Sequence, residues 1–521
     1  MVKKTKQFFG NKINLLGILL ALFCVFIHIP RYFEVYFPPL SPSPDVWWGL
    51  DLSWILTLNY INMKQLIWGT DFAFTYGPLS YLSTRLGWGT TGYNLILFDV
   101  FFYLNLFLIY FISFTKSNKK IITAILIIGY TLLIPVWLGS STALILLAFL
   151  VFWIRMSIEK PKFVYYVFQF ILLFLLFFIK FNTGLIAFPL FFTGLIYNLI
   201  CKKEKFYWLL LYAIIPIVII LLSCSYLNVA LIPYVKTAME IISGYNDVMY
   251  LDHKFSRRLL ALFVVFSTLF IIGHRAYLER KTKEKLFKNV AIFIVYVIPI
   301  FVLYKSGFVR GLEVEFFIFS VLLILTCRDL HFENYKRYSS IIVVMCLLGS
   351  FGIVYVDRGT KMPFEITNKI DKYYLIGIKD FTPISGLHII PSPNQLPASV
   401  TQKIGVSTVD IYPWNSQLLL ENKLNFSPRP VFQAYTAYTK DLEEMNFNHY
   451  NSYTKAPEFV VYEYLAIDER YPLFDEPKVN LCLIKNYSPI ELFDFQNRKF
   501  ILFQKHKDFK PIKLKKQKNM L

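Results

Sequence analysis

Long apolar runs alternate with short polar connections over the first two thirds of the chain. A run of about 20 apolar residues is long enough to cross a bilayer as an α-helix. The runs therefore predict about eleven transmembrane helices, separated by a longer loop at 224–257 between the seventh and the eighth. They lie near 13–29, 93–115, 120–138, 141–158, 163–179, 184–200, 206–223, 258–273, 289–304, 313–327 and 338–356.

The stretch between the first two runs, residues 51–82, has a different pattern. Its first half carries apolar residues near i, i+3 and i+4, which predicts an amphipathic helix lying on the membrane surface. Asp51 stands where an N-cap is expected, Gly69 stands at the C-cap, and a Gly-Pro turn follows at Gly77. This helix would hold Asp51 and Asp71 at the mouth of the space that the spanning helices enclose.

The last part of the chain has no apolar run of spanning length and is richer in polar residues and proline. Its β-type runs and one helical stretch predict a compact α/β domain over 357–504, followed by a basic tail at 505–521. The β-type runs are 405–409, 458–462 and 500–503, and the helical stretch is 437–446. The predicted fold class is a polytopic α-helical membrane protein, with a transmembrane domain at 1–356 and an α/β domain after it.

Composition and charge support this class. The chain has 521 residues, of which 56% are hydrophobic and 17% are charged, whereas soluble domains carry roughly 25% charged residues. The net charge of +20 would suit nucleic acid, but much of it lies in short connections between apolar runs, which is the positive-inside pattern. We therefore expect a multi-pass protein of the plasma (inner) membrane, surrounded by lipid and binding no nucleic acid. The N-terminus would be cytoplasmic, and the loop 30–92 and the C-terminal domain extracytoplasmic.

The candidate chemistry lies in the loop. No nucleotide-binding loop, zinc-protease motif or hydrolase nucleophile elbow occurs in a fitting context. Instead, Asp51 is followed by a helix, by Gly69 and by the motif Phe74-Thr-Tyr-Gly-Pro-Leu79. This order resembles the first extracytoplasmic loop of GT-C class glycosyltransferases, in particular the bacterial branch that transfers aminoarabinose or mannose from a polyprenyl phosphate. Leu52 stands where many members have Glu, and Gly77-Pro78 stands where they have Pro-Pro.

The resemblance implies an inverting glycosyltransferase. A polyprenyl-phosphate-sugar would be the donor, and a lipid, glycan or protein the acceptor. Asp51 would be the general base, with a plain helix cap as the alternative. Asp71 is a second catalytic candidate, as a metal ligand or an orienter of the acceptor, and its alternative is a turn residue. A divalent metal ion is a candidate cofactor.

Basic residues on the predicted outer side are candidate substrate contacts. Lys305 and Arg310 flank the link between the ninth and tenth runs, where arginine can bind a phosphate through two parallel hydrogen bonds. Arg257 and Arg258 form a second basic cluster. The alternatives are interfacial snorkelling for the first pair and contact with anionic lipid headgroups for the second.

Tyr76, within the loop motif, and Arg429 complete the candidate substrate-binding residues. Arg429 lies in the segment 428–438, whose aromatic and polar groups suit sugar stacking and hydrogen bonding. A structural loop is the alternative for this segment.

Two other classes of function remain open at this level. A transporter or flippase of a lipid-linked glycan would also be polytopic, but transporters are typically built from repeated halves with charges at the midplane. This chain has no evident repeat, and its charges cluster at one face. A non-catalytic cell-envelope scaffold, acting through the C-terminal domain, is the third class.

Overall fold

The fold was analysed in a computed structural model of the chain. It describes residues 12–32, 50–90, 92–117, 120–133, 142–251, 254–278, 280, 282–309, 395–514 and isolated helical positions between 316 and 352. Arg310 and most of the predicted tenth and eleventh spans lie outside the described residues. The described chain is mostly helical, with a small sheet near its C-terminal end.

The apolar runs form helices with nearly the predicted bounds. In chain order, the helices described before residue 310 are α1 (Lys12–Tyr32), α2 (Leu50–Met63), α3 (Tyr81–Thr84), α4 (Gly92–Lys116), α5 (Lys120–Leu133), α6 (Thr142–Glu159), α7 (Phe163–Ile179), α8 (Phe181–Ile200), α9 (Phe206–Tyr226), α10 (Leu231–Met249), α11 (Phe255–Leu278) and α12 (Lys283–Gly307). Of these, α2, α3 and α10 lie outside the predicted apolar runs. Within the described ranges, 6 helices are long and apolar enough to cross a membrane, namely α4, α6, α8, α9, α11 and α12. The coarse prediction of a helical membrane protein is thus confirmed, and the count of eleven stays a prediction.

Helix α10 corrects the prediction of a loop over 224–257. Tyr234, Ala238 and Ile241 are buried at i, i+4 and i+7, while Met239 is exposed. Polar residues on the other face, including Glu240, lower the mean hydropathy of this segment. A search for spanning runs therefore misses it, because an amphipathic helix is identified by its period and not by its average.

The C-terminal part forms the predicted α/β domain. Its elements are α13 (Ala398–Ile404), β1 (Thr408–Tyr412), α14 (Ser416–Glu421), β2 (Asn425–Phe426), α15 (Lys440–Tyr450), β3 (Phe459–Glu463), α16 (Pro477–Asn486), β4 (Tyr487–Phe495) and β5 (Arg498–Lys505). The strand order is β2-β1-β3-β5-β4. β1 is parallel to β2 and β3, and α14 and α15 lie in the crossovers that parallel pairing requires. β5 is antiparallel to β3 and β4.

The domain extends beyond its predicted end at residue 504. Asn451 accepts a hydrogen bond from the backbone N–H of Ile512 at 2.6 Å and donates one to its carbonyl at 3.0 Å. The first part of the predicted basic tail, up to residue 514, therefore belongs to the domain.

Helix α2 is enclosed by protein, which corrects its predicted position on the membrane surface. Positions 56–61 are all buried, so the helix has no apolar stripe left to face lipid. Thr57 shares a hydrogen bond of 2.6 Å with Ser416 at the start of α14, and the Tyr60 hydroxyl donates to the carbonyl of Phe426 at 2.7 Å. The C-terminal domain therefore covers the second face of α2, which the spacing of its apolar residues did not predict to be buried.

One end of the helical bundle carries both the C-terminal domain and the residues 50–90, here named the connecting segment. The N–H of Gly77 donates to the carbonyl of Ile179, at the end of α7, at 3.0 Å. Val309, just after α12, lies in one apolar cluster with Leu50 at the start of α2. Connections that the charge pattern assigns to the outside therefore meet at this end.

Two connections assigned to the inside also meet. Lys203, between α8 and α9, forms an ion pair with Glu284 at the start of α12. The connection after α8 and the start of α12 therefore lie at one end of the bundle, and the predicted orientation in the membrane stays a prediction.

A buried ion pair fastens the connecting segment to the bundle. Arg85 donates from Nη1 to Asp99 Oδ1 at 2.8 Å and from Nη2 to Oδ2 at 2.6 Å. Both side chains are almost inaccessible to solvent. Asp99 interrupts an apolar run, and a carboxylate in such a run needs a partner. A lone aspartate in an apolar run was therefore the sequence signal for this pair.

Candidate functional site

Asp51 lies in the first turn of α2 with its side chain exposed. Trp54, one turn further, donates from its indole Nε1 to Asp51 Oδ1 at 3.0 Å. The start of a helix carries partial positive charge, which favours a carboxylate there. The Asp51 carboxylate is therefore oriented by the indole, which binds one of its two oxygens.

Aromatic side chains continue from Trp54 into the protein. The Trp54 ring stacks on Tyr76 at 4.9 Å between ring centres, with 15° between the planes. Phe74 lies 5.8 Å from Trp54, and Phe432 of the C-terminal domain lies 5.2 Å from Phe74. We name Trp54, Phe74, Tyr76 and Phe432 the aromatic shelf. It joins Asp51 to the bundle and to the C-terminal domain.

Lys180 brings a positive charge to the same shelf. It is the single extended residue between α7 and α8, with φ −150°, and it pairs with Tyr76 through an isolated antiparallel bridge. Its Nζ donates to the Tyr76 hydroxyl at 3.3 Å and lies 4.7 Å from the centre of that ring, which is cation–π distance. The sequence signal was a lysine between two apolar runs, but nothing local linked it to Tyr76.

The Gly-Pro turn makes this approach possible. A Cβ added at Gly77 would lie 2.4 Å from the carbonyl oxygen of Phe178 and 2.6 Å from the hydroxyl of Tyr234. No side chain fits there without moving backbone. Glycine at this position therefore allows the motif to lie directly against the end of α7.

The predicted phosphate contacts are found at the same end of the bundle, as far as the structure describes them. Lys305 is exposed in the last turn of α12, and Val309, two residues after that helix, belongs to the same apolar cluster as Leu50. Arg310 lies outside the described residues, so its role stays a prediction. The end of α12 and the start of α2 therefore contribute to one apolar cluster.

Arg257 and Arg258 lie in the first turn of α11, next to the same end. The preceding link is tied to α12 by a hydrogen bond of 2.8 Å from the N–H of Leu251 to the carbonyl of Val309. Arg258 donates to the Tyr250 hydroxyl at 2.7 Å. The start of α11 is therefore linked to the end of α12, and the role of the two arginines as substrate contacts stays a prediction.

Asp71 lies apart from Asp51. Its Oδ2 accepts a hydrogen bond from the N–H of Ile67 at 3.1 Å, and its own N–H donates to the Ile67 carbonyl at 2.9 Å. Asp71 therefore closes a turn, which is the alternative that the sequence left open. It follows the far end of α2, whose 14 residues span about 20 Å at 1.5 Å per residue, so a joint role with Asp51 at one reacting centre is not supported.

Arg429 is in the core of the C-terminal domain, not at a surface that a substrate reaches. Its side chain is 0% exposed, and its guanidinium lies 3.0 Å from Asp410 and 3.3 Å from Glu476. It also donates to the carbonyls of Ile411 and Pro413. The burial of these groups gives Arg429 a structural role and corrects its prediction as a substrate contact.

The segment 428–438 joins the C-terminal domain to the connecting segment. Phe432 and Tyr435 are buried, so their rings do not form an open sugar platform. The carbonyl of Pro430 accepts from the N–H of Ala73 at 3.0 Å, and Gln433 donates to the carbonyl of Leu50 at 3.2 Å. The structural alternative for this segment therefore fits its contacts.

Glu476 is expected to make the stability of this domain depend on pH. Burial raises the pKa of its carboxyl to about 7, against the lowering effect of Arg429. Between about pH 4.5 and 7 the folded chain thus retains a proton that the unfolded chain releases, and the wild type loses up to about 1.4 kcal/mol of stability per pH unit as pH rises. Glu476→Gln should therefore gain stability relative to wild type over this window, measured by chemical unfolding followed with tryptophan fluorescence.

His449→Gln is the control, because its stability relative to wild type should change with pH in the opposite direction. Burial lowers the pKa of its imidazole to about 4, so the folded chain binds fewer protons than the unfolded chain between about pH 4 and 6.5. His449→Gln should gain stability relative to wild type as pH falls. Parallel slopes for the two variants would contradict both assignments.

The third property of the site is its set of possible metal ligands. Within the described ranges, no three His, Cys, Asp or Glu side chains come together as a possible metal site. The arrangement around Asp51 is one carboxylate, an aromatic shelf and nearby cations. These groups can accept a proton, hold a ring and attract a phosphate.

The resemblance to GT-C enzymes rests on the order of residues in the stretch 51–82. The function is accordingly argued from the geometry of the site. No model of a known protein family matches this chain, and a comparison with curated proteins finds no match either.

Proposed function

We propose that this protein is an integral membrane glycosyltransferase of GT-C type. It moves a sugar from a polyprenyl-phosphate carrier to a lipid, glycan or protein acceptor at the outer face of the plasma membrane, with its N-terminus in the cytoplasm. The observation that carries the proposal is the connected array of Asp51, the aromatic shelf and Lys180 at one end of the apolar helices. A base, a ring surface and a cation at a membrane boundary are the groups that this reaction needs.

Asp51 acts as the general base. The acceptor hydroxyl attacks the anomeric carbon of the donor sugar while Asp51 takes its proton. The new C–O bond forms as the bond between the anomeric carbon and the phosphate oxygen breaks, and the polyprenyl phosphate leaves with that electron pair. Attack from the side opposite the phosphate inverts the anomeric configuration.

Positive charge stabilises the departing phosphate. Lys180 lies at the aromatic shelf, and Lys305 lies in the last turn of α12, with Arg310 five residues later in the sequence. Cations aimed at a developing phosphate charge lower the barrier, because that charge grows in the transition state. The polyprenyl tail lies against apolar helix surface, such as the exposed Leu221 and Leu222 of α9.

Trp54 and Tyr76 hold the sugar in this scheme. Trp54 is only half-buried, so part of its ring is accessible beside Asp51. Aromatic rings pack on the C–H faces of sugars and leave the hydroxyls free for hydrogen bonds. Tyr76 keeps Lys180 within reach of the same space.

The donor assignment is tested by lipid mass spectrometry on detergent-purified protein. Wild type should carry polyprenyl phosphate or its glycosylated form, and Lys180→Ala and Lys305→Ala should each lose most of it. Lys285→Ala is the matched control, because Lys285 and Lys305 lie near opposite ends of α12. Equal amounts of carrier lipid in all four proteins, or ordinary phospholipid alone in wild type, would contradict the donor site.

A further inference from the structure

A cavity lies between the connecting segment and the C-terminal domain, at the opposite end of α2 from Asp51. Its volume is about 600 Å³, and Tyr60, Lys64 and Asp71 line one wall while His449 and Lys455 line the other. Cavities of roughly 300–1,000 Å³ are typical of small-molecule sites. We name it the interdomain cleft. None of its chemistry is used by the transfer reaction proposed above.

Two lysines give the cleft its positive charge. Lys64, just beyond α2, holds its ammonium 5.6 Å from the centre of the Tyr60 ring. Lys455 is exposed on the facing wall. Within the described ranges neither lysine forms an ion pair with a carboxylate, while one oxygen of Asp71 is engaged by the N–H of Ile67. The two ammonium groups outnumber the single carboxylate of the lining, Asp71, and this excess of positive charge favours an anion between the walls.

The remaining lining suits the hydroxyls and C–H faces of a sugar. Side-chain hydroxyls and amides, such as those of Thr70, Ser427 and Asn448, line the cleft together with apolar surface from Phe426, Pro428 and Met445. Neutral hydrogen-bonding groups beside apolar patches match a saccharide ring, which presents both kinds of surface.

His449 adds an unused polar atom to the wall. Its Nε2 is buried and has no hydrogen-bond partner within the described ranges. Burial lowers the pKa of the imidazole to about 4, so the ring is neutral near pH 7. A buried polar atom without a partner costs free energy, and the residue that carries it lines the cleft.

We propose that the interdomain cleft binds a saccharide carrying a phosphate or carboxylate group. Lys64 and Lys455 contact the anion from the two walls, and Asp71 and Asn448 bond sugar hydroxyls. The site is separate from Asp51, and binding needs no transfer step. It extends the function to recognition of an anionic glycan by the C-terminal domain and the connecting segment together.

The test uses the full chain in detergent micelles and isothermal titration calorimetry with glucose 6-phosphate, glucose and inorganic phosphate. Glucose 6-phosphate should bind more tightly than either of the others. Lys64→Gln and Lys455→Gln should each weaken it about tenfold, the effect of one charge-assisted hydrogen bond. Lys485→Gln is the matched control, since Lys485 is exposed in the same domain but outside the cleft.

A further variant tests whether the negative charge of the ligand contributes to its binding. Asn448→Asp adds a negative charge with little change in volume, so it should weaken the binding of glucose 6-phosphate more than the binding of glucose. Asp51→Asn should bind all three probes as wild type does, which distinguishes this cleft from the proposed transfer site. Each of the following would overturn the proposal: no saturable binding at millimolar glucose 6-phosphate, unchanged binding in the Lys64→Gln/Lys455→Gln double variant, or inorganic phosphate binding equally tightly.

Discussion

Asp51→Asn is expected to lower sugar transfer by about 10²–10⁴-fold, the usual contribution of a general base. The amide cannot take the proton of the acceptor hydroxyl, yet its carbonyl oxygen can still accept the hydrogen bond from Trp54 Nε1. The fold should therefore be unchanged. The measurement is transfer from a polyprenyl-phosphate-sugar in purified membranes, with product and released polyprenyl phosphate quantified by mass spectrometry.

Asp71→Asn is the matched control for this prediction. It makes the same chemical change at the far end of α2, where the carboxylate accepts a backbone hydrogen bond in a turn. Transfer in this variant should stay within a few-fold of wild type. Wild-type turnover in Asp51→Asn would remove Asp51 as the base. Movement of a lipid-linked glycan across the membrane, without any transferred product in wild type, would favour a transporter.

Arg429→Met is expected to destabilise the chain by about 3–5 kcal/mol, because it leaves Asp410 and Glu476 buried without their shared cation. Methionine keeps much of the side-chain volume, so the loss measures the missing charge more than a cavity. Thermal unfolding of the detergent-purified protein, followed by tryptophan fluorescence, should show a midpoint lowered by roughly 10 °C.

Two further variants test whether the loss of stability in Arg429→Met comes from uncompensated buried charge. Arg470→Met removes an arginine of the same domain that is 28% exposed and 3.5 Å from Asp475, and it should cost at most about 1 kcal/mol. Adding Asp410→Asn and Glu476→Gln to Arg429→Met should recover much of the loss, since no buried charge then remains. If Arg429→Met unfolded like wild type but lost sugar binding, the structural role assigned to Arg429 would be refuted.

The described spanning helices could be predicted because each is determined by its own residues. A helix in lipid makes its backbone hydrogen bonds internally and presents apolar side chains to its surroundings. The predicted run at 163–179 accordingly coincides with α7, Phe163–Ile179. The central strand was also predicted closely, at 458–462 against Phe459–Glu463, because its β-branched and aromatic residues are typical of a buried strand.

Helix α2 shows where the local pattern was insufficient. Its sequence predicted the helix but placed it on the membrane surface, because one apolar stripe explains only one buried face. The second face is covered by α14, where Ser416 bonds Thr57 across 359 residues of sequence. Polar residues such as Thr57 and Asn59 look solvent-facing until their distant partners are known.

The sequence by itself determined the apolar helices, the α/β domain, the charge asymmetry and the single carboxylate that opens the connecting segment. These follow from local composition and period, which lipid and backbone hydrogen bonding impose on each segment separately. Only the tertiary structure decided that Lys180 contacts Tyr76 across 104 residues, that Asp71 lines a cleft that does not include Asp51, and that Arg429 is buried. Such contacts depend on how separate elements pack. The residues next to a charged side chain in the sequence do not indicate whether it will face water, an oppositely charged residue or a ligand.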